Sequence, residues 1–243
     1  MTALTIDRRH GRRALLLAAG AVLLALCATV VVAGTGADPA SAARAKTIGK
    51  TKKTPRPSCP KDPCEAVGSV TGFQTHASGT KDPFKVRQSG QLVAWSVDVS
   101  RPKPSQSRFF GRFYRSDAFG TSPAARVSVL EPRGKKRYRL KRHSPAADLS
   151  EHLGQKPIFT LAAPLQLNKG DVLALTVPSW VSDFAVDLSR KDAWRASRAS
   201  NKCAGNNDLK ASRAHEKVGK TRVYGCTYRT ARLLYWGYYT PGG

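Results

Sequence analysis

The densest charge in the chain lies in Arg133 to His143, RGKKRYRLKRH, where seven of the ten residues through Arg142 are basic. Read as a strand with Tyr138 and Leu140 towards a core, it lines up Arg137, Arg139, Lys141 and His143 on the opposite face as a cationic stripe. Such a stripe either binds polyanions by charge alone or guards a sheet edge against pairing with another sheet.

Catalytic constellations are harder to assemble from these residues. A serine hydrolase elbow needs GxSxG on a strand-to-helix turn, and Gly68-Ser69-Val70-Thr71-Gly72 carries its serine one place early. His215-Glu216 lacks the second histidine four residues on that a zinc hydrolase helix requires, and His76, His143 and His152 are scattered. Asp183 and Asp187 share one face of an extended run. They would stand about 13 Å apart there, beyond either glycosidase geometry. Asn206, Asn207 and Asp208 offer oxygen ligands for calcium, but with one acid among three they suit an Asx turn better. Trp95, Trp236, Tyr235 and Phe110 fall on patterned runs and belong to a core. Trp180 and Trp194 fall in expected loops, where they either stack on sugar rings or cap the end of the fold. No catalytic residue, cofactor or metal site is implied.

Four cysteines, Cys59, Cys64, Cys203 and Cys226, follow an N-terminal segment with the marks of export. Arg8, Arg9, Arg12 and Arg13 precede an uncharged run from Ala14 to Gly34, and Ala40-Ser41-Ala42 suits cleavage. Residues 1–42 are therefore read as a signal peptide, with an uncleaved membrane anchor over residues 14–34 as the alternative, since the run is long enough to span a bilayer. Both place the rest of the chain outside the cell, as a secreted protein or on the extracellular face of the membrane. An even cysteine count in an exported chain predicts two disulfides. Of three connectivities the local one is favoured, Cys59 with Cys64 and Cys203 with Cys226. A four-thiolate zinc site would need close CxxC pairs, which are missing.

Further along, residues 43–64 are basic and rich in proline and lysine, and read as a flexible linker. From Glu65 the texture changes to short β-rich runs cut by Gly, Pro, Asn and Asp, which predicts an antiparallel β-sandwich over residues 65–243. The clearest unit is Leu165 to Trp180, read as a hairpin reversing at Asn168-Lys169-Gly170-Asp171 into a buried central strand that Pro178 ends. Gln91 to Ser100 alternates well, and Phe109 to Tyr114 reads as an aromatic strand. Arg137 to His143 pairs back onto Ala125 to Leu130. Leu188 to Arg222 is a long polar loop tied down by Cys203, and any helix, such as Asp192 to Ser200, should be short and peripheral.

The order of these elements resembles the jelly-roll sandwiches of carbohydrate-binding domains. More narrowly, CEAVGSVTGF, GDVLALTVPSW and GCTYRTARLLY resemble segments of uncharacterised exported proteins of high-GC Gram-positive bacteria, a likeness that implies export and a β-sandwich but no activity. Residues 65–243 hold 30 basic and 13 acidic residues, a net of +17, which favours anionic partners. The expected function is that of a non-catalytic module binding anionic polymers or glycans of the cell envelope, with Arg137, Arg139, Lys141, Trp180 and Trp194 as candidate contacts. Nucleic acid and anionic lipid are further partners for its basic segments. The alternatives are an exported hydrolase acting on envelope polysaccharide and a structural envelope protein contacting other proteins.

Overall fold

Apolar side chains recurring at every second residue of an extended run need a second apolar layer, and the chain supplies it by placing two antiparallel sheets face to face. The computed structural model describes residues 45–242, so the signal or anchor segment expected in residues 1–42 lies outside the described residues. The smaller sheet runs β1 (Lys46–Ile48), β15 (Tyr235–Pro241), β4 (Gly90–Val97), β8 (Ile158–Leu167). The larger runs β12 (Thr221–Val223), β6 (Arg137–His143), β5 (Ala124–Pro132), β9 (Val172–Val181), β2 (Val67–Ala77), β11 (Ala193–Ala196), β13 (Cys226–Arg229). Short additions extend the larger sheet, β3 (Thr80–Lys81) pairing with β2 and β7 (Ala147–Asp148) with β5, while β10 (Phe184–Ala185) and β14 (Arg232–Leu233) form a separate two-stranded sheet. Strands dominate and the expected all-β sandwich is the fold.

β9 is the central strand, paired with β5 on one side and β2 on the other and buried along its whole length. The smaller sheet closes over it. Tyr235 donates its hydroxyl to the Leu173 carbonyl at 3.0 Å and stacks on Phe84 at 4.2 Å. At Gly237 the sheets approach so closely that a Cβ would lie 2.4 Å from the Leu173 side chain.

Several local expectations are overturned by long-range pairing. The turn at residues 168–171 joins no hairpin, because β8 pairs with β4 in one sheet while β9 pairs with β5 and β2 in the other. It is a corner between sheets. Gly170, at φ 95°, donates to the Val86 carbonyl, and Val86 donates to that of Asp171, so the corner is stapled to a neighbouring segment. Pro178 does not end β9 either. The β2–β9 register shifts there, leaving Pro178 and Ser179 opposite Ser69, and a proline in a bulge removes no ladder hydrogen bond.

Phe109 to Phe113, expected with Tyr114 as a strand, is the second half of α1 (Pro104–Phe113), and Tyr114 caps its end. Pro104 opens the helix, and Gln106 accepts from the Lys103 N–H at 2.7 Å, satisfying a donor at its entry. The segment expected as the peripheral helix, Asp192 to Ser200, instead contributes β11. The long polar stretch is also structured further along, where Asn206 to Asp208 open a short α2 (Asn206–Ala211) rather than an isolated turn. Asp208 pairs there with Lys202 at 3.0 Å.

Finally, the linker reading of residues 43–64 gives way from Lys46 onward. β1 pairs with the last strand, and Ile48 is buried. Arg232, 1% exposed, donates to the Lys53 carbonyl and the Thr51 hydroxyl and so holds the next residues down. One buried isoleucine in a run of lysines leaves too little pattern to announce a strand. Both disulfides take the local pairing, Cys59–Cys64 and Cys203–Cys226. Such bonds belong to chains folded in an oxidising compartment.

Candidate functional site

The cationic strand is the first candidate from the sequence, and the structure divides its residues. β6 is no sheet edge: β12 pairs with it, and residues 219–224 add backbone bonds to Leu140 and Lys136. The edge-guarding role therefore falls away. Tyr138 and Leu140 do reach the core, and Arg137 and Arg139 stay exposed. Lys141 leaves the stripe. The β5–β6 register shifts between Leu140 and Arg142, and Lys141 reaches Asp171 at 3.0 Å, a carboxylate 4% exposed at the corner before β9. Glu131 stands opposite Arg139 and pairs with Arg133, which dilutes the stripe further.

The two loop tryptophans are buried strand residues. Trp194 lies on β11, 3% exposed, stacked on Tyr228 at 4.7 Å and edge-on to Phe184. No sugar ring can reach its face. Trp180 lies near the end of β9, 2% exposed, and donates its indole N–H to the Thr121 carbonyl at 2.8 Å.

A stronger concentration of free charge forms where the supposed linker meets the segment after β3. A groove of about 390 Å³ is walled by Lys46 and Lys50 on one side and by Lys81, Lys85 and Arg87 on the other. The alternation of Phe84 and Val86 inward, each 1% exposed, turns Lys85 and Arg87 outward. Pairing of β1 with β15 sets the opposite wall. Lys46 donates to the Gln88 side chain at 3.3 Å, and Gln88 donates to the Gly242 carbonyl, tying the wall to the chain's end. Asp82 is the one carboxylate in the lining, and among the described residues none of the five cations forms a salt bridge. Like charges lining one groove repel, and an anion lying between them relieves that repulsion. Sequence reasoning missed the site because its halves are more than thirty residues apart; the FKVR alternation of Phe84 to Arg87 was its one local sign.

Among the described residues, Asp183 and Asp187 do not come together as a carboxylate pair. Asp183 is fully buried with both carboxylate oxygens unpartnered, whereas Asp187 is exposed, so the two share no face. Burial, aided by the nearby Asp98 carboxylate, pushes Asp183 up to about 8. His215 is enclosed between the Tyr224 hydroxyl and the Lys220 carbonyl, and burial brings it down to about 4. Its backbone N–H donates to Thr71, which heads a buried hydroxyl row through Thr176 to Ser128. That row seats the 212–216 segment on the sheet. Among the described residues no three His, Cys, Asp or Glu side chains gather as metal ligands. No family model, curated protein or solved structure matches the chain.

Proposed function

We propose that the protein is an exported, non-catalytic β-sandwich, secreted or held at the outer face of the membrane, that binds anionic polymers of the cell envelope. The observation that carries this reading is the groove walled by Lys46, Lys50, Lys81, Lys85 and Arg87, five cations without a salt-bridge partner among the described residues, facing a single acid. A flexible chain of phosphates or uronates laid along it neutralises several cations at once, and release of the polymer's counterions drives association. Arg137 and Arg139 extend the positive field on the larger sheet without forming the groove. The two disulfides and the surplus of base agree with an extracellular site of action.

Binding of a poly(glycerol phosphate) chain, an acidic glycan and a duplex DNA probe should each show log K falling linearly with log salt. Replacing Lys81, Lys85 and Arg87 by Gln should reduce the slope on duplex DNA by roughly two to three, against a smaller change for Arg137→Gln with Arg139→Gln. Equal slopes for the wild type and the groove variant would remove the groove from the function.

A further inference from the structure

α1 carries three rows of residues spaced four apart, and each row does something different. Phe110 and Tyr114 face inward; Phe110 lies 5.5 Å from the Trp180 ring in a small core shared with Cys59 and Ala66. Gly111 brings the helix against the Thr121 carbonyl, where a Cβ would lie at 2.7 Å, so α1 is seated firmly. Phe109 faces outward, 57% exposed, its ring stacked at 5.7 Å on Phe113, which is half-buried against that small core. Arg108 and Arg112 rim a cleft of about 720 Å³ whose other walls are Ser122, Ser150 and Leu153, with Trp180 behind. No carboxylate lines this cleft, and neither arginine forms a salt bridge among the described residues. The helix itself contains no acid, and Arg101, Lys103 and Arg115 flank it.

We infer that this face of α1 docks on a bilayer surface bearing anionic phospholipid, with Phe109 entering the headgroup layer and a lipid phosphate held between Arg108 and Arg112 at the mouth of the cleft. An exposed apolar ring is stabilised by burial at the boundary between headgroups and acyl chains, the depth reached by the Phe, Trp and Leu side chains of surface-bound helices. Arginine matches a phosphate with paired N–H donors, and the hydroxyls of Ser122 and Ser150 add polar contacts beside it. A soluble polyanion would leave Phe109 in water. A second copy of this chain would bring arginine against arginine. The site is separate from the cationic groove and does not depend on the polymer reading.

The test uses the chain from Ala43, which holds every described residue, and vesicles of phosphatidylcholine with and without phosphatidylglycerol. Co-sedimentation at 0.1 M salt should require phosphatidylglycerol, and Arg108→Gln with Arg112→Gln should weaken it roughly thirtyfold, from about 1 kcal/mol per basic residue at an anionic surface. Phe109→Ser should also weaken binding. In Phe109→Trp the emission should shift to the blue on vesicles and be quenched by brominated acyl chains, and it should do so equally when Lys81, Lys85 and Arg87 are replaced by Gln. Emission from the Phe109→Trp variant that stays unshifted on bound vesicles would overturn the proposal, as would unchanged partition of the double arginine variant. A blue shift of the same size with soluble poly(glycerol phosphate) would assign the face to a polymer instead.

Discussion

Asp183 and His215 are both enclosed in the fold, and they pull stability in opposite directions with pH. Asp183 titrates at about 8 when folded and near 3.8 when unfolded, so between those values the folded chain holds the extra proton and stability falls as pH rises. His215 titrates at about 4 folded and 6.5 unfolded; between those values the unfolded chain holds the extra proton and stability rises with pH. From about pH 4 to 6.5 the two slopes cancel. Above 6.5 Asp183 dominates, and stability should drop by about 1 kcal/mol on reaching pH 8, where Asp183 is half ionised in the fold. Glu65 and Asp98, raised chiefly by burial, add a loss of the same sign in the acid range. In Asp183→Asn the drop should vanish, leaving a rise from pH 4 to 6.5 and a plateau above it. Urea melts of both proteins at pH 5, 6.5 and 8 check this, and a wild-type curve that is level from 6.5 to 8 would mean that Asp183 is ionised in the fold.

At the scale of elements, β1 shows how a short strand can matter beyond its length. It covers the edge of β15, buries Ile48, and leads into two of the three acceptors of the Arg232 guanidinium, a charge whose salt-bridge partner is missing among the described residues. A chain starting at residue 59 should therefore be less stable than one starting at 45 by about 2–4 kcal/mol, from lost apolar burial and lost charge-assisted hydrogen bonds. Matched urea midpoints for the two would show that β1 does not dock. The disulfide between Cys203 and Cys226 ties β13 to the segment following β11. Its removal by Cys203→Ala with Cys226→Ala should cost about 3 kcal/mol, more than the shorter loop closed by Cys59 and Cys64, at about 2 kcal/mol. Non-reducing peptide mapping should recover both local pairs.

For the whole molecule, the charge excess of +17 over residues 65–243 could have been spread evenly, and it is not. Lysines gather at the groove beside β1, arginines at the outer face of α1, and the acids near them are few or engaged elsewhere, as Asp171 is by Lys141. A ligand that binds only the folded state raises the melting temperature by mass action, and one held by charge does so only at low salt. Poly(glycerol phosphate) should thus raise Tm at about 50 mM salt and leave it unchanged at about 0.5 M, where exposed charges are screened. A shift that survives high salt would point to apolar contact in place of the groove.

The sequence by itself determined the class of the fold, the buried centre at β9, the expectation of two disulfides with the local pairing favoured, and the surplus of base. Each is written in local quantities: alternation of apolar residues, cysteine spacing and charge. α1 was not legible: its run of aromatics reads as a strand, because the helix-entry residues Pro104 and Gln106 lie ahead of that run and outside it. Tertiary structure alone decided which sheet each strand joins, since a strand's two faces do not name its neighbours. For that reason β8 and β9 part company, and Trp180 and Trp194 lie under other segments. A single register shift turned Lys141 from the stripe to Asp171, and pairing of β1 with β15 brought Lys46 and Lys50 to the groove they share with Lys85 and Arg87. Such sites arise from contacts between distant segments, whose closeness no local pattern encodes.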